Sequence, residues 1–173
     1  MASPQHRFAL DDEVVLQGRP MRVAGVVRLH GAGGQETIRY LLAEPSGGPV
    51  IVEYGDGVYS ALRPFPPQAS PPMKGSAIVV GREKYALVAV RKLKVVSAAG
   101  QAPGGTRPGA LIVSGVFDGP SGTLMREIVP GTRRQAYYLL KTLRGGELLS
   151  AAEHAALREA AGLAAARRKA EDE

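Results

Sequence analysis

Short apolar runs, separated by glycine, proline and other turn-forming residues, follow one another along most of the chain. Runs rich in valine, isoleucine and leucine that are bounded in this way are typical of β-strands. In the first half they predict about five short strands in meander order. These strands fall near residues 12–16, 21–29, 37–43, 50–54 and 58–62. The Asp-Gly step between the last two is a strong hairpin signal.

The second half continues the same pattern of apolar runs and turn residues. It predicts strands at residues 77–80, 85–96, 110–117 and 123–129. A loop rich in glycine and proline is predicted over residues 98–109. The apolar run at residues 137–143 is too short for its periodicity to decide between a strand and a short helix.

The end of the chain predicts a helix. Ser150 and Glu153 have the spacing of a capping box. The alanine, leucine, glutamate and arginine residues that follow have high helix propensity. A thin apolar stripe at helical spacing could dock on the barrel or on a second subunit. Its residues are Ala156, Leu157, Ala160, Leu163 and Ala164.

Two segments of the chain resemble each other. Residues 14–29 align without a gap on residues 77–92, and Gly18 falls on Gly81. A repeat of this kind favours two small β units made by duplication. We therefore predict a mainly β protein that consists of two similar SH3-like or small-barrel halves and a C-terminal α-helix.

The predicted domain boundaries follow from this repeat and from a proline-rich stretch between its copies. The stretch is interpreted as a stiff connector, with a proline-motif ligand as the alternative. The boundaries are residues 1–63 for the first β unit, 64–73 for the connector, 74–145 for the second β unit and 146–173 for the helix and charged tail.

The composition excludes several kinds of functional site and indicates where the protein is located. The chain has no cysteine, which excludes disulfides, thiolate zinc sites and cysteine nucleophiles. Its first residues contain no apolar run of signal-peptide length, and no segment reaches the length of a membrane span. We therefore expect a soluble protein with a cytoplasmic location.

Basic residues are concentrated in the second part of the chain. Residues 1–66 contain 6 basic and 7 acidic residues, whereas residues 67–173 contain 16 and 9. Such an excess is typical either of a polyanion-binding surface or of an arginine-rich composition without a dedicated site. The candidate residues for binding a polyanion or a partner are Arg91, Lys92, Lys94, Arg133 and Arg134.

Residues that could carry catalysis are sparse. The 3 histidines lack metal-ligand spacing. The glycine-rich stretch 31–34 is followed by a strand pattern rather than a helix, so a phosphate loop is not predicted. Glu53 and Asp56 flank a hairpin and are interpreted as strand-edge and turn residues. We therefore expect no catalytic residues, no cofactor and no metal site.

Several short motifs match a known family pattern. They are Gly18, Met21, Val23 and Gly25, residues 39–42, 50–52 and 55–59, then Gly81, Tyr85 and Leu87, and residues 136–138. Over about residues 10–145 the chain thereby resembles the bacterial domain of unknown function 4178. Met21 stands where that family has an aromatic residue, and the chain has no tryptophan.

The resemblance implies a β-rich, non-catalytic domain. Members of the family are often encoded beside membrane-remodelling proteins of the phage-shock type, small membrane proteins and polyamine-synthesis enzymes. This association implies an accessory or scaffold of a bacterial envelope-stress system. We therefore expect a non-enzymatic module that binds a protein partner. The alternative is binding of a polyanion, either nucleic acid or an anionic membrane surface, through the basic second half.

Overall fold

The computed structural model describes residues 7–45, 49–64, 73–74, 77–102 and 106–172. Most of these residues belong to strands, and a single helix ends the described chain. The elements are β1 Glu13–Leu16, β2 Arg19–Gly31, β3 Glu36–Ala43, β4 Val50–Gly55, β5 Val58–Pro64, β6 Met73–Lys74, β7 Ala77–Val80, β8 Glu83–Gly100, β9 Leu111–Gly119, β10 Gly122–Ile128, β11 Gln135–Thr142, β12 Leu148–Ser150 and α1 Ala151–Glu171. The predicted mainly β fold with a C-terminal helix is confirmed.

Eight of the strands close a barrel. Their order is β2, β3, β4, β5, β11, β10, β9 and β8, and β8 pairs back onto β2. Every one of these pairs is antiparallel. The closing pair joins residues 25–31 of β2 to residues 93–100 of β8. The β-barrel fold is therefore confirmed, although as one barrel rather than as two small-barrel halves.

The two halves of the chain share this barrel instead of each closing a barrel of its own. β5 of the first half pairs with β11 of the second, and β2 pairs with β8. The physical reason is the length of β2 and β8, which have 13 and 18 residues. β2 forms a hairpin with β1 at one end, and β8 forms a hairpin with β7. Both strands extend far enough beyond these hairpins to pair with each other. The prediction that each half forms a small barrel is corrected accordingly: the two halves build one barrel together.

Each half nevertheless begins with a hairpin outside the closed barrel. β1 pairs with β2, and β7 pairs with β8. Both hairpins turn at a glycine of positive φ, which is 80° at Gly18 and 61° at Gly81. A side chain would strain the backbone in that conformation. The glycine that the repeat matched is thus a turn residue in both copies. Residues 65–72 of the predicted connector lie outside the described residues.

Apolar side chains pack on both faces of the curved sheet, because successive residues of a strand point to opposite sides. On the barrel side, Ile51 and Leu62 pack with Met125 and Tyr138 from the second half. A second cluster on that side joins β2, β8 and β9. On the opposite face, Val52 belongs to a larger cluster, which also contains Phe8 and residues of β1 and β12.

The helix α1 begins with the predicted capping box. The Ser150 hydroxyl accepts a hydrogen bond from the Glu153 backbone N–H at 3.1 Å, and the Glu153 carboxylate accepts from the Ser150 N–H at 3.3 Å. Arg7 also binds this carboxylate, at 2.8 Å. No residue of the helix is buried. The five residues of the apolar stripe are therefore exposed, and docking of the stripe on the barrel is not observed.

Among the described residues, no helix has both the length and the apolar character that are needed to span a membrane.

Candidate functional site

Four charged side chains meet inside the barrel. Arg39 on β3 donates from both terminal nitrogens to the Glu127 carboxylate on β10, at 2.7 and 2.6 Å. Its Nε donates to Glu53 on β4 at 2.9 Å. Arg91 on β8 donates to the other oxygen of Glu53 at 2.7 Å. We call these four side chains the lumen network.

The lumen network balances two positive charges with two negative ones. Arg39, Glu53 and Glu127 are each 6–7% exposed. Such burial is costly for a charge unless a partner and hydrogen bonds compensate it. Here the bidentate contact between Arg39 and Glu127 has the geometry of a strong arginine–carboxylate pair. The network therefore ties strands of both halves together across the lumen.

The network also keeps Glu53 and Arg39 charged. Burial alone would raise the pKa of Glu53, but Arg39 and Arg91 outweigh burial and hold that pKa below its ordinary value. Burial alone would lower the pKa of Arg39, and the two glutamates raise that pKa above its ordinary value instead. Near neutral pH Glu53 and Arg39 are therefore ion-paired rather than neutral.

Acid should weaken the fold through Glu53. Because its folded pKa lies below the ordinary value of 4.5, its contribution is complete above that value and is lost as the pH falls through the lower folded pKa. Urea unfolding between neutral pH and about pH 3 should show this loss as a falling free energy of unfolding.

The Glu53→Gln variant provides the comparison for that experiment. Its free energy of unfolding should be lower at neutral pH, and it should fall less steeply with acid than that of the parent chain. Equal steepness in the two proteins would contradict the role given to Glu53.

The lumen network separates two cavities at opposite ends of the barrel. The first cavity is about 470 Å³ and lies against Arg39 and Glu127, beneath the loops that join β8 to β9 and β10 to β11. The second is about 530 Å³ and lies against Glu53 and Arg91, near the β2–β3 loop and the β4–β5 turn. Both volumes are in the range of small-molecule sites.

The sequence-predicted basic residues do not meet at one place. Arg133 and Arg134 line the first cavity, whereas Arg91 and Lys92 line the second. Lys94 lies exposed on β8, opposite His30 of β2. Arg91 is already bound to Glu53, and the other four residues are exposed. Their role in binding stays a prediction.

Of the four residues in the lumen network, Arg91 alone was among the predicted site residues. Glu53 was interpreted as a strand-edge residue, but it is buried in the lumen because the barrel closes over its face of β4. Asp56 does lie in the predicted turn, with φ of 51°. A usable signal was present in the strands: Arg39 and Glu53 each interrupt an otherwise apolar run. A lone charge inside such a run indicates a paired, buried group.

One stretch of β8 lacks a neighbour on one side. On that side β7 pairs with residues 83–86 and β2 with residues 93–100. Among the described residues, no strand pairs with residues 87–92 on that side. We call residues 87–92 the open edge.

Apolar side chains are exposed along the open edge: Leu87, Val88 and Val90 are 37%, 57% and 55% exposed. The register shift between β8 and β9 also falls here, between Leu87 and Ala89. Unpaired backbone beside exposed apolar side chains is a template for strand addition.

No family model matches the chain, and no curated protein or solved structure matches it either. The resemblance to the domain of unknown function 4178 therefore stays a prediction. Within the described parts of the chain, no three histidine, aspartate or glutamate side chains are grouped as metal ligands would be.

Proposed function

We propose that this chain is a non-enzymatic interaction module that binds a protein partner by adding one of the partner's strands to the open edge. The exposed, unpaired stretch of β8 is the single observation that carries the proposal. Strand addition gives affinity through main-chain hydrogen bonds and specificity through alternate side chains.

The side chains around the open edge define the partner strand. Leu87 and Val90 present apolar surface, and the exposed residues Lys84, Lys92 and Lys94 flank it. A strand with an apolar centre and acidic residues near its ends complements this surface, because opposite charges across paired strands stabilise the pairing. An exposed apolar edge is also the kind of surface that isolated proteins usually cover.

The helix α1 supports an interaction role with a second surface. Leu157 and Leu163 are 55% and 62% exposed on a helix that has no buried residue. Tertiary packing stabilises most helices in proteins. A helix that lacks such packing in its own chain fits a scaffold that contacts a partner or a second copy.

We also infer that the two halves derive from a duplicated SH3-like unit. In each half a hairpin precedes a four-strand meander: β1 leads into β2 to β5, and β7 leads into β8 to β11. The first strands of the two meanders pair with each other, and so do the last. An accessory role in a bacterial envelope-stress system has its support in the sequence resemblance alone.

Partner capture from the native host tests the proposed function. After crosslinking, the chain should recover a specific protein, and V88K/V90K should recover at least about tenfold less, because two charges at the open edge oppose strand addition. The matched control is L111K/L139K, which changes two exposed leucines elsewhere and should capture as the parent does. Circular dichroism checks that all three proteins are folded.

Two results would overturn the proposal. One is recovery of no protein under crosslinking, and the other is equal capture by the parent chain and V88K/V90K.

Polyanion binding is the second candidate function. Lys92, Lys94, Arg133 and Arg134 are exposed and form no ion pair with another described residue. Binding through these residues should weaken steeply with salt. The logarithm of the binding constant should fall by about one unit per tenfold rise in salt concentration for each phosphate that is neutralised. Absence of binding to DNA, RNA and anionic vesicles at low salt would exclude this function.

A further inference from the structure

The first cavity has an apolar wall within the barrel. Its aliphatic lining comes from β2, β3, β4, β9 and β11, so that strands of both halves build one pocket. The residues of this wall are Val27, Leu29, Leu41, Ile51, Ile112 and Ala136. A wall of this kind favours an apolar molecule or an apolar part of one, since burial removes its surface from water.

The inner end of this cavity is polar but electrically balanced. Arg39 and Glu127 line it, and each neutralises the other through two hydrogen bonds. The remaining nitrogen of Arg39, Nε, donates to Glu53. This end of the cavity therefore does not require a charge on the bound molecule.

The mouth of the first cavity is strongly basic. Arg133 and Arg134 lie in the loop between β10 and β11, and both side chains are exposed. Among the described residues no carboxylate pairs with either of them. Two arginines that follow each other in the chain and both line the cavity can together match a carboxylate or phosphate in charge and in hydrogen-bond capacity.

We propose that the first cavity binds a small amphipathic anion, a carboxylate with an aliphatic chain. The chain lies along the apolar wall, and the carboxylate binds Arg133 and Arg134 at the mouth. Tyr138 also lines the pocket, and its side chain carries a hydroxyl. This hydroxyl can donate to a polar atom on a longer chain. The ligand site is distinct from the open edge, so it goes beyond the proposed function.

Calorimetric titration of the full chain with decanoate tests the proposal, and decanol is the uncharged comparison. We expect saturable binding of one decanoate per chain. Decanol should bind on the order of tenfold more weakly, because it lacks the charge that the arginines recognise. The R133E/R134E variant should lose affinity for decanoate by a similar factor. The R167E/R168E variant makes the same charge change on α1, away from the cavity, and should bind as the parent does.

A blocking variant separates binding in the cavity from adsorption on the surface. Ala136→Phe places a large ring on the apolar wall and should abolish decanoate binding while the chain remains folded by circular dichroism. The R133E/R134E and R167E/R168E variants change exposed side chains, so their folding should match that of the parent. The proposal is overturned by a lack of saturable binding, by equal affinity for decanoate and decanol, or by unchanged affinity in R133E/R134E or in folded A136F.

Discussion

Replacing Arg39 with methionine should lower the free energy of unfolding by about 3–5 kcal/mol. Arg39 is the only described residue that binds both Glu53 and Glu127. Without it, Glu127 loses both of its arginine hydrogen bonds, and Glu53 keeps Arg91 alone. An unpaired carboxylate in a low-dielectric interior is strongly destabilising. Urea unfolding at neutral pH measures the change.

Two further variants identify the cause of that loss. Arg22→Met removes a pair with Asp11 in which the side chains are 54% and 69% exposed, and it should cost no more than about 1 kcal/mol. The double variant R39M/E127Q also removes the orphaned charge and should recover part of the stability lost in R39M. A loss in R39M as small as that in R22M would show that the lumen network does not hold the barrel together.

Replacing Gly25 with alanine should destabilise the protein by about 3 kcal/mol or more. Gly25 lies on β2 where the barrel closes, opposite Gly100 of β8. A β-carbon at Gly25 would overlap the backbone oxygen of Gln101. Gln101 in turn donates its N–H to the Ala24 oxygen at 2.8 Å. The backbones must therefore separate at the closing pair, because no flexible side chain is available to move.

Gly33→Ala is the matched control for this change. Gly33 lies in the loop between β2 and β3, and a β-carbon there would meet no atom within 4 Å. Its free energy of unfolding should stay within about 0.5 kcal/mol of the parent value. Equal stability of the two variants would contradict the closure between β2 and β8.

Local features of the fold could be predicted from the sequence. The Asp-Gly step does make the turn between β4 and β5, and Ser150 with Glu153 does cap α1. Residues 137–143, which were ambiguous, fall largely in β11. Each of these depends on residues that are close together in the chain, so that propensity and turn chemistry are sufficient.

Barrel closure could not be predicted in the same way. It depends on the pairing of β5 with β11 and of β2 with β8, which brings distant segments together. A repeat with two hairpins is compatible with two small barrels and with one shared barrel. The length of β8 decides between them, because this one strand pairs with β7 and β2 on one side and with β9 on the other.

The candidate sites likewise depend on contacts between distant parts of the chain. Arg133 and Arg134 could be recognised as a basic pair, but the apolar wall behind them comes from five strands. Arg39 and Glu127 are 88 positions apart in the chain, so their pairing is visible only once the barrel is closed. The open edge is equally nonlocal, because the sequence of β8 does not show where its neighbours end.

Residue-resolved amide hydrogen exchange of the isolated chain tests the open edge and the barrel closure together. In an antiparallel strand, alternate residues direct their N–H groups to opposite neighbours. Every second amide between Leu87 and Lys92 should therefore exchange rapidly, whereas amides that β8 donates to β2 between residues 93 and 100 should be protected. Protection of every amide from Leu87 to Lys92, or rapid exchange along the pair of β8 with β2, would contradict a closed barrel with an open edge for a partner strand.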